Sequence, residues 1–215
     1  NMEKRHNNSS YFLRSIPLFD YIITINGYSE HFYEKMGVKK LIKIERGHDK
    51  SLLTVEPSKY VKKSDAVFIG SFEKRRFDVL KYFAANGIDI EVFGNNWPMS
   101  SIKRLKIRGR PLYGEDFIKK VCSSWIVFNF LREINNDSST GRTFEIPALG
   151  ACMFSQYSDD QASFFKDMEE AIFFDANNLH TALTTLKSVL KDKDKLLNIG
   201  RRGRLRCIES RYYYE

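Results

Sequence analysis

The residues of this chain best suited to chemistry lie in one stretch: Asn129-Phe-Leu-Arg-Glu-Ile-Asn-Asn-Asp137-Ser-Ser-Thr140-Gly141-Arg142-Thr-Phe-Glu145-Ile-Pro-Ala-Leu-Gly150. An apolar run opens into a polar loop, and a helix begins near Thr140. An arginine in the first turn of that helix can neutralise a phosphate. A carboxylate three residues on, Glu145, can accept two hydrogen bonds from the vicinal hydroxyls of a ribose. A plainer reading competes: Thr140 as a helix cap, with Arg142 and Glu145 pairing at i,i+3. The residue types alone leave both open.

Three other loops carry candidates. Phe68-Ile-Gly70-Ser71 closes a strand and leads into a helix, so its N–H groups can approach a phosphate. A tight strand-to-helix turn asks for glycine in any case. Arg75 and Arg76 follow; Arg76 can contact a diphosphate, or the pair can form a solvated first turn. Phe93-Gly94-Asn-Asn-Trp97 suits a loop bordering a base or sugar, or equally an anchored tryptophan. Arg108-Gly-Arg-Pro-Leu-Tyr113 offers backbone groups to read a base edge and a ring to stack on it.

Something must bring these loops together, and the pattern says what. Short β-branched runs alternate with helical stretches, which is the signature of βαβ units on a parallel sheet. Strands are expected at 20–25, 40–44, 65–69, 88–93, 105–107, 125–130, 152–155 and 171–174. Helices are expected at 29–36, 74–85, 114–123, 142–149, 178–191 and from 194 to about 212. The charge-rich stretch from Arg46 to Ser64 reads as a junction. The expected architecture is α/β, a doubly wound parallel sheet over residues 61–215, preceded by a partial second α/β domain in residues 1–60. Ligands of such sheets lie at the carboxyl ends of the strands. The loops after Ile69, Phe93, Ile107 and Phe130 should therefore converge. Three consecutive tyrosines, Tyr212 to Tyr214, cannot all face one core from a helix, so they should meet the connector or the first domain.

Composition narrows the class. Hydrophobic residues make up 42% and aromatics 14%, enough for a substantial core. No apolar run approaches the ~20 residues of a membrane span, so a soluble, cytoplasmic protein is expected. Cys122, Cys152 and Cys207 are far apart without metal spacing, and Cys122 and Cys152, in apolar runs, read as buried thiols. His31, His48 and His180 are equally scattered. Acid pairs such as Asp192-Lys-Asp194 fall in solvent-facing helix, so no metal is expected. The net charge of +8 points to an anionic partner, a nucleotide diphosphate or an acidic membrane surface. No nucleic-acid module is recognisable, and no nucleic acid is expected.

Thr140-Gly-Arg-Thr-Phe-Glu-Ile-Pro-Ala-Leu-Gly-Ala-Cys152 resembles the R-x-F-E-x-x-A-x-G signature of group 1, GT-B type glycosyltransferases, especially their spore-maturation-protein-like branch. Val67-Phe-Ile-Gly-Ser71 with Arg76, and Val92-Phe-Gly94 with Trp97, look like that branch's upstream segments. Phe164-Phe165, Glu169 to Asp175 and Gly200-Arg-Arg-Gly-Arg204 look like its ending. Tyr33 to Gly37 and Arg46-Gly-His-Asp49 resemble the exit from an acceptor-side domain. The resemblance implies a Rossmann-like donor domain that binds a nucleotide-sugar and transfers the sugar to an acceptor (a glycan, a lipid-linked sugar or a protein) without a metal. It also implies that Glu145 holds the ribose. Related retaining enzymes carry a donor-sugar glutamate eight positions earlier; here that position is Asp137, a shorter carboxylate. Residues 1–60 would then be the end of a larger N-terminal domain, and no catalytic base is assignable. A catalytically silent binding module is the main alternative. An RNA-binding α/β protein is weaker, since basic and aromatic residues do not interleave on one face.

Overall fold

A computed structural model describes residues 9–25, 30–44, 46–132 and 137–214. Ser29, the expected start of the first-domain helix, and residues 133–136 of the loop after Phe130 lie outside them. The chain forms two compact units: residues 1–46 with 131–140, and residues 47–130 with 141–215. The segment from Gly47 to Tyr60, grouped by sequence with the first domain, thus packs as part of the second unit.

In the first unit, helix α1 (Ser10–Ser15) is capped by Ser9, whose hydroxyl accepts from the Phe12 N–H at 3.1 Å. Strands β1 (Ile22–Thr24) and β2 (Leu41–Lys43) pair in parallel, with helix α2 (Glu30–Lys35) between them in sequence. This is one βαβ unit, as the alternation of apolar and helical runs predicts.

The second unit is built on a six-stranded sheet. Its strands are β4 (Ser64–Ile69), β5 (Ile90–Phe93), β6 (Leu105–Ile107), β7 (Ser124–Asn129), β8 (Cys152–Gln156) and β9 (Ile172–Phe174). The spatial order is β6-β5-β4-β7-β8-β9, and every pairing is parallel. From β4 the chain winds outward through β5 and β6, then returns to the other side of β4 with β7. The order reverses between β4 and β7, the topological switch point.

Helices cover both faces. On one face, α3 (Lys74–Ala85), α7 (Leu179–Lys191) and the start of α8 (Lys193–Glu209) pack over Phe68, Phe128, Phe154 and Phe174. On the other, α4 (Gly114–Cys122), α5 (Gly141–Ala148) and the end of α8 pack over Val67, Ile69, Val127 and Met153. A strand buried on both faces must be apolar throughout, which explains the uninterrupted run in β7. Gly200 lets α8 touch the turn after α5: a Cβ there would lie 2.3 Å from the Gly150 carbonyl oxygen. The glycines of the Gly200–Arg204 stretch are therefore packing devices. Arg204 beside them donates to the carbonyls of Leu53, Val55 and Ala148, fastening the Gly47–Tyr60 segment to the end of α5.

Two features depart from the sequence reading. A short helix, α6 (Asp159–Phe164), was not expected; Ser158 caps it by accepting from the Gln161 N–H. The last helix ends at Glu209 rather than near Tyr212. Arg211 takes a left-handed conformation (φ 52°), which stops the helix. The chain then runs extended as β10 (Tyr213–Tyr214) and pairs in parallel with β3 (His48–Asp49). The tyrosines do meet the connector, as expected, but as a strand. Tyr212, just before the strand, packs inward onto Phe144, Phe164 and Phe165, while Tyr214 is exposed.

Phe83 of α3 is fully buried and stacks on Phe128, with Phe154 and Phe174 edge-on. Phe83→Ala is expected to cost about 3–5 kcal/mol. A thermal melt should register this as a midpoint lower by roughly 6–20 °C.

Candidate functional site

The loops after β4, β5 and β6 interlock through their backbones. The Gly70 N–H donates to the Phe93 carbonyl at 2.9 Å, and the Phe72 N–H to the Asn95 carbonyl at 3.0 Å. The Gly94 N–H donates to the Arg110 carbonyl at 2.9 Å. Gly94 sits at φ +149°, where a Cβ would fall 1.9 Å from the Gly70 carbonyl oxygen. Only glycine permits that approach, so the spacing of Gly70 and Gly94 reflects two loops in contact. Trp97 locks the same junction. Its indole N–H donates to the Gly70 carbonyl at 2.8 Å, and its ring lies edge-on to Phe68, Phe72 and Phe77. The structure places Trp97 as the anchor of the Gly70–Gly94 junction.

Arg76 is buried beneath the first loop. It donates to the Ser71 carbonyl at 3.3 Å, pairs with Glu73 at 3.3 Å, and sits over the Phe68 ring. The positive charge therefore lies under the Gly70–Ser71 turn, while its neighbour Arg75 bonds to Asn177. Arg108, read from sequence as a donor contact, is committed elsewhere. It donates through Nε (3.0 Å) and Nη2 (2.8 Å) to Glu91, which also takes Lys120 and Ser64. Burial pushes the Glu91 carboxyl up, but the three donors outweigh it and hold the group down at about 2. Arg108 is thus the partner of a structural carboxylate. Tyr113 keeps its freedom: its ring is 73% exposed at the N-terminus of α4, with no capping bond.

Asn129, at the end of β7, is another correction. It is 2% exposed. Its amide nitrogen lies within hydrogen-bond distance of Thr143 Oγ1 (3.2 Å), Ser155 Oγ (3.1 Å) and Gln161 Oε1 (2.9 Å), which share its two N–H groups. A side chain so enclosed does not touch a ligand. Instead it places the first turn of α5 at the carboxyl end of β7. On that turn Arg142 pairs with Glu145 and lies 3.8 Å above the Phe117 ring of α4. Both ends of the pair remain about one-third open to solvent. The N-terminal turns of α4 and α5 therefore meet at Arg142, at the same edge of the sheet as Gly70. Gly141 opens the helix, with its missing Cβ in ordinary contact with Glu145. In the first unit, Asp137 is largely buried and pairs with Arg46 at 3.8 Å, and Thr140 is half-buried.

His48, read from sequence as one of the scattered histidines without metal partners, takes a packing role. It is wholly buried in β3, with Nδ1 donating to its neighbour's carbonyl, Asp49 O, at 2.8 Å and the Tyr213 ring against it. The bond to a carbonyl, which only accepts, puts the proton on Nδ1. Burial lowers its pKa, against the pull of the Asp49 carbonyl, Glu145 and Asp49. The three cysteines are buried thiols, pushed by burial up to about 11 for Cys122 and about 12 for Cys152 and Cys207. Among the described residues no group of three His, Cys, Asp or Glu side chains is placed to hold a metal. No helix among them is long and apolar enough to cross a membrane.

The arrangement is a sheet edge that carries Arg76 and the Arg142–Glu145 pair, and the sequence of that edge decides its family. The "Glycosyl transferase-like" family model matches residues 75–215. The chain belongs to this glycosyl transferase-like family. The match spans α4, α5 and every candidate from Arg76 onward; Gly70 and Ser71 lie just before it. No curated protein matches the sequence. Solved structures show the same GT-B Rossmann-like fold. Anabaena Alr3699/HepE, solved with UDP-glucose, is 11% identical with a TM-score of 0.71, covering 95% of this chain and 64% of that one. Sucrose-phosphate synthase from Thermosynechococcus elongatus is 12% identical with a TM-score of 0.67, covering 98% of this chain and 59% of its own. The C-terminal domain of the group 1 glycosyl transferase LpcC from Francisella tularensis is 12% identical with a TM-score of 0.54, covering 77% and 93%. The chain thus spans less than two thirds of the first two enzymes.

The buried His48 gives a measurable consequence for this family member. Its folded-state pKa lies below the unfolded value of 6.5, so the unfolded chain binds the proton first. Stability from neutral His48 is complete above about pH 6.5 and declines as the pH falls below it. Urea midpoints at pH 7.5, 6.5 and 5.5 should fall for the wild type. The His48→Phe variant should lose distinctly less across that window.

Proposed function

We propose that this chain is the donor-binding part of a glycosyltransferase that moves a sugar from a nucleoside diphosphate to an acceptor without a metal. The observation that carries the reading is the Arg142–Glu145 pair on the first turns of α5, beside the switch point between β4 and β7. The family match over the same residues supports it. So does the structural neighbour Alr3699/HepE, solved in complex with UDP-glucose.

In this reading the free pair is a placeholder. Glu145 exchanges Arg142 for the two ribose hydroxyls, and Arg142 turns its charge to the diphosphate. The Gly70–Ser71 turn and the N-terminus of α3 face the same anion, with Arg76 beneath adding charge. Tyr113 supplies an exposed ring for the base. The leaving diphosphate is then neutralised by side-chain cations and helix N-termini, the work a divalent ion does elsewhere. We include in the proposal the spore-maturation-protein-like branch, the first unit as the end of an acceptor-side domain, and a cytoplasmic setting, at an anionic membrane surface where the acceptor is lipid-linked. The sugar-contacting role that the resemblance implies for Asp137 would require its pairing with Arg46 to open.

A thermal-shift panel of UDP-, GDP-, TDP- and ADP-sugars tests the reading, because a bound donor raises the melting midpoint by linkage. One nucleotide class should shift it and the others should not. Arg142→Ala should then bind that nucleoside diphosphate with about 1.5–3 kcal/mol less free energy, roughly 10- to 100-fold weaker by calorimetry. Unchanged affinity in a folded Arg142→Ala protein would remove Arg142 from the site. A protein that binds donor yet releases no nucleoside diphosphate with any acceptor would be the silent module.

A further inference from the structure

Beneath the proposed donor site lies a closed cluster of neutral polar side chains: Asn129 (2% exposed), Thr143, Ser155 and Gln161, the last three at 0%. They come from four elements, β7, α5, β8 and α6. Burying four amide and hydroxyl groups costs free energy unless each is paired, so their arrangement is fixed by hydrogen-bond accounting. The accounting starts at the Gln156 carbonyl, which can only accept. It takes the Gln161 amide at 2.6 Å, which sets Nε2 toward the carbonyl and Oε1 toward the cluster. Oε1 then accepts from the hydroxyls Thr143 Oγ1 (3.0 Å) and Ser155 Oγ (2.9 Å), and the two N–H groups of Asn129, whose Nδ2 lies 2.9 Å from the same oxygen, are shared between it and those hydroxyls. One amide orientation dictates the donor sense of both hydroxyls.

We infer that Gln161 is a positioning residue for the donor site, acting through Thr143 to set the rotation of α5 and so the aim of Arg142 and Glu145. Thr143 stands one residue after Arg142 and two before Glu145, and side chains on a helix are about 100° apart per residue. Pinning the Thr143 hydroxyl to Gln161 therefore fixes the direction in which both charged side chains leave the helix. Asn129 repeats the constraint from β7 by donating to Thr143 at 3.2 Å. The inference rests on the donor-site reading above. It adds to it a residue on α6 with no contact to the Arg142–Glu145 pair itself.

Two variants test it, with UDP as the probe, or whichever nucleoside diphosphate the panel selects. Gln161→Met keeps the length and removes both hydrogen-bonding ends. Gln161→Glu keeps the shape but, when ionised, sets an oxygen against the Gln156 carbonyl. Protonated, it carries an O–H in place of the amide N–H and restores the pattern. Affinity is measured by calorimetry well below each melting midpoint and divided by the wild-type value at the same pH. The control is Phe83→Leu, a loosened core on the opposite face of the sheet. Gln161→Met should bind about tenfold more weakly, the loss of one charged contact's alignment. Phe83→Leu should bind as wild type despite its lower melting midpoint. Gln161→Glu should bind weakly at pH 8 and approach the wild-type ratio by pH 5.5, as its buried carboxyl takes up a proton. Wild-type affinity in Gln161→Met, or an equal loss in Phe83→Leu, would overturn the inference and leave the donor site standing. A wild-type protein that binds none of the four nucleoside diphosphates would overturn the donor-site reading, and this inference with it.

Discussion

A parallel sheet covered by helices on both sides has no polar face, and this constraint shapes everything in the larger unit. Each central strand must be apolar in both directions, so β4 and β7 offer no interior position for chemistry. Polar groups are confined to the strand ends, where the backbone leaves the sheet. Because all six strands run the same way, the carboxyl ends lie along one edge, with the helix N-termini beside them. Reversal of strand order between β4 and β7 leaves a gap there that no crossover fills. The site is where it is because burial forbids it elsewhere.

At that edge, charge is held in balance before any ligand arrives. Arg142 is shared between Glu145 and the face of Phe117, and Arg76 between Glu73 and the Ser71 carbonyl. An unpaired guanidinium this close to the core would be costly, so the pairs are what make a cationic edge tolerable. In the proposed reading, anion binding is a swap of one carboxylate for a phosphate at these pairs. The strongly shifted carboxylate, Glu91, belongs to a structural cluster with Lys120, Ser64 and Arg108.

Much of the fold was legible because its causes are local. The apolar run of β7, the β-branched residues of β4 and the glycines ending strands each follow from short-range rules, whereas the strand order β6-β5-β4-β7-β8-β9 came only with the tertiary structure. The site was legible in part. Glu145 and Arg142 sit where the helix start put them, and Gly70 and Gly94 where the turns demanded them. Arg108 and Asn129 were identifiable as special but not in their roles, and for Trp97 the sequence left the anchoring role open beside a ligand-bordering one. Each has a polar group able to serve a ligand or the protein, and only the neighbours decide which. For Trp97 the neighbour is the Gly70 carbonyl, 27 residues away; for Asn129 it is Gln161, 32 away.

The sequence by itself determined the class of this protein: a doubly wound α/β chain, which periodicity is enough to show because it depends on residues within a turn or two of one another. Its Arg-x-x-Glu step carries a resemblance to glycosyltransferases, and the family match over residues 75–215 bears out that kinship. Tertiary structure decided which polar groups are spent internally. It assigned Arg108 to Glu91, enclosed Asn129 with Gln161, stopped the last helix at Arg211 and laid Tyr213 beside His48. These outcomes turn on hydrogen bonds and strand pairings between segments far apart in the chain. Such partners are chosen by burial, which forces every enclosed donor to find an acceptor, and no local pattern records the choice.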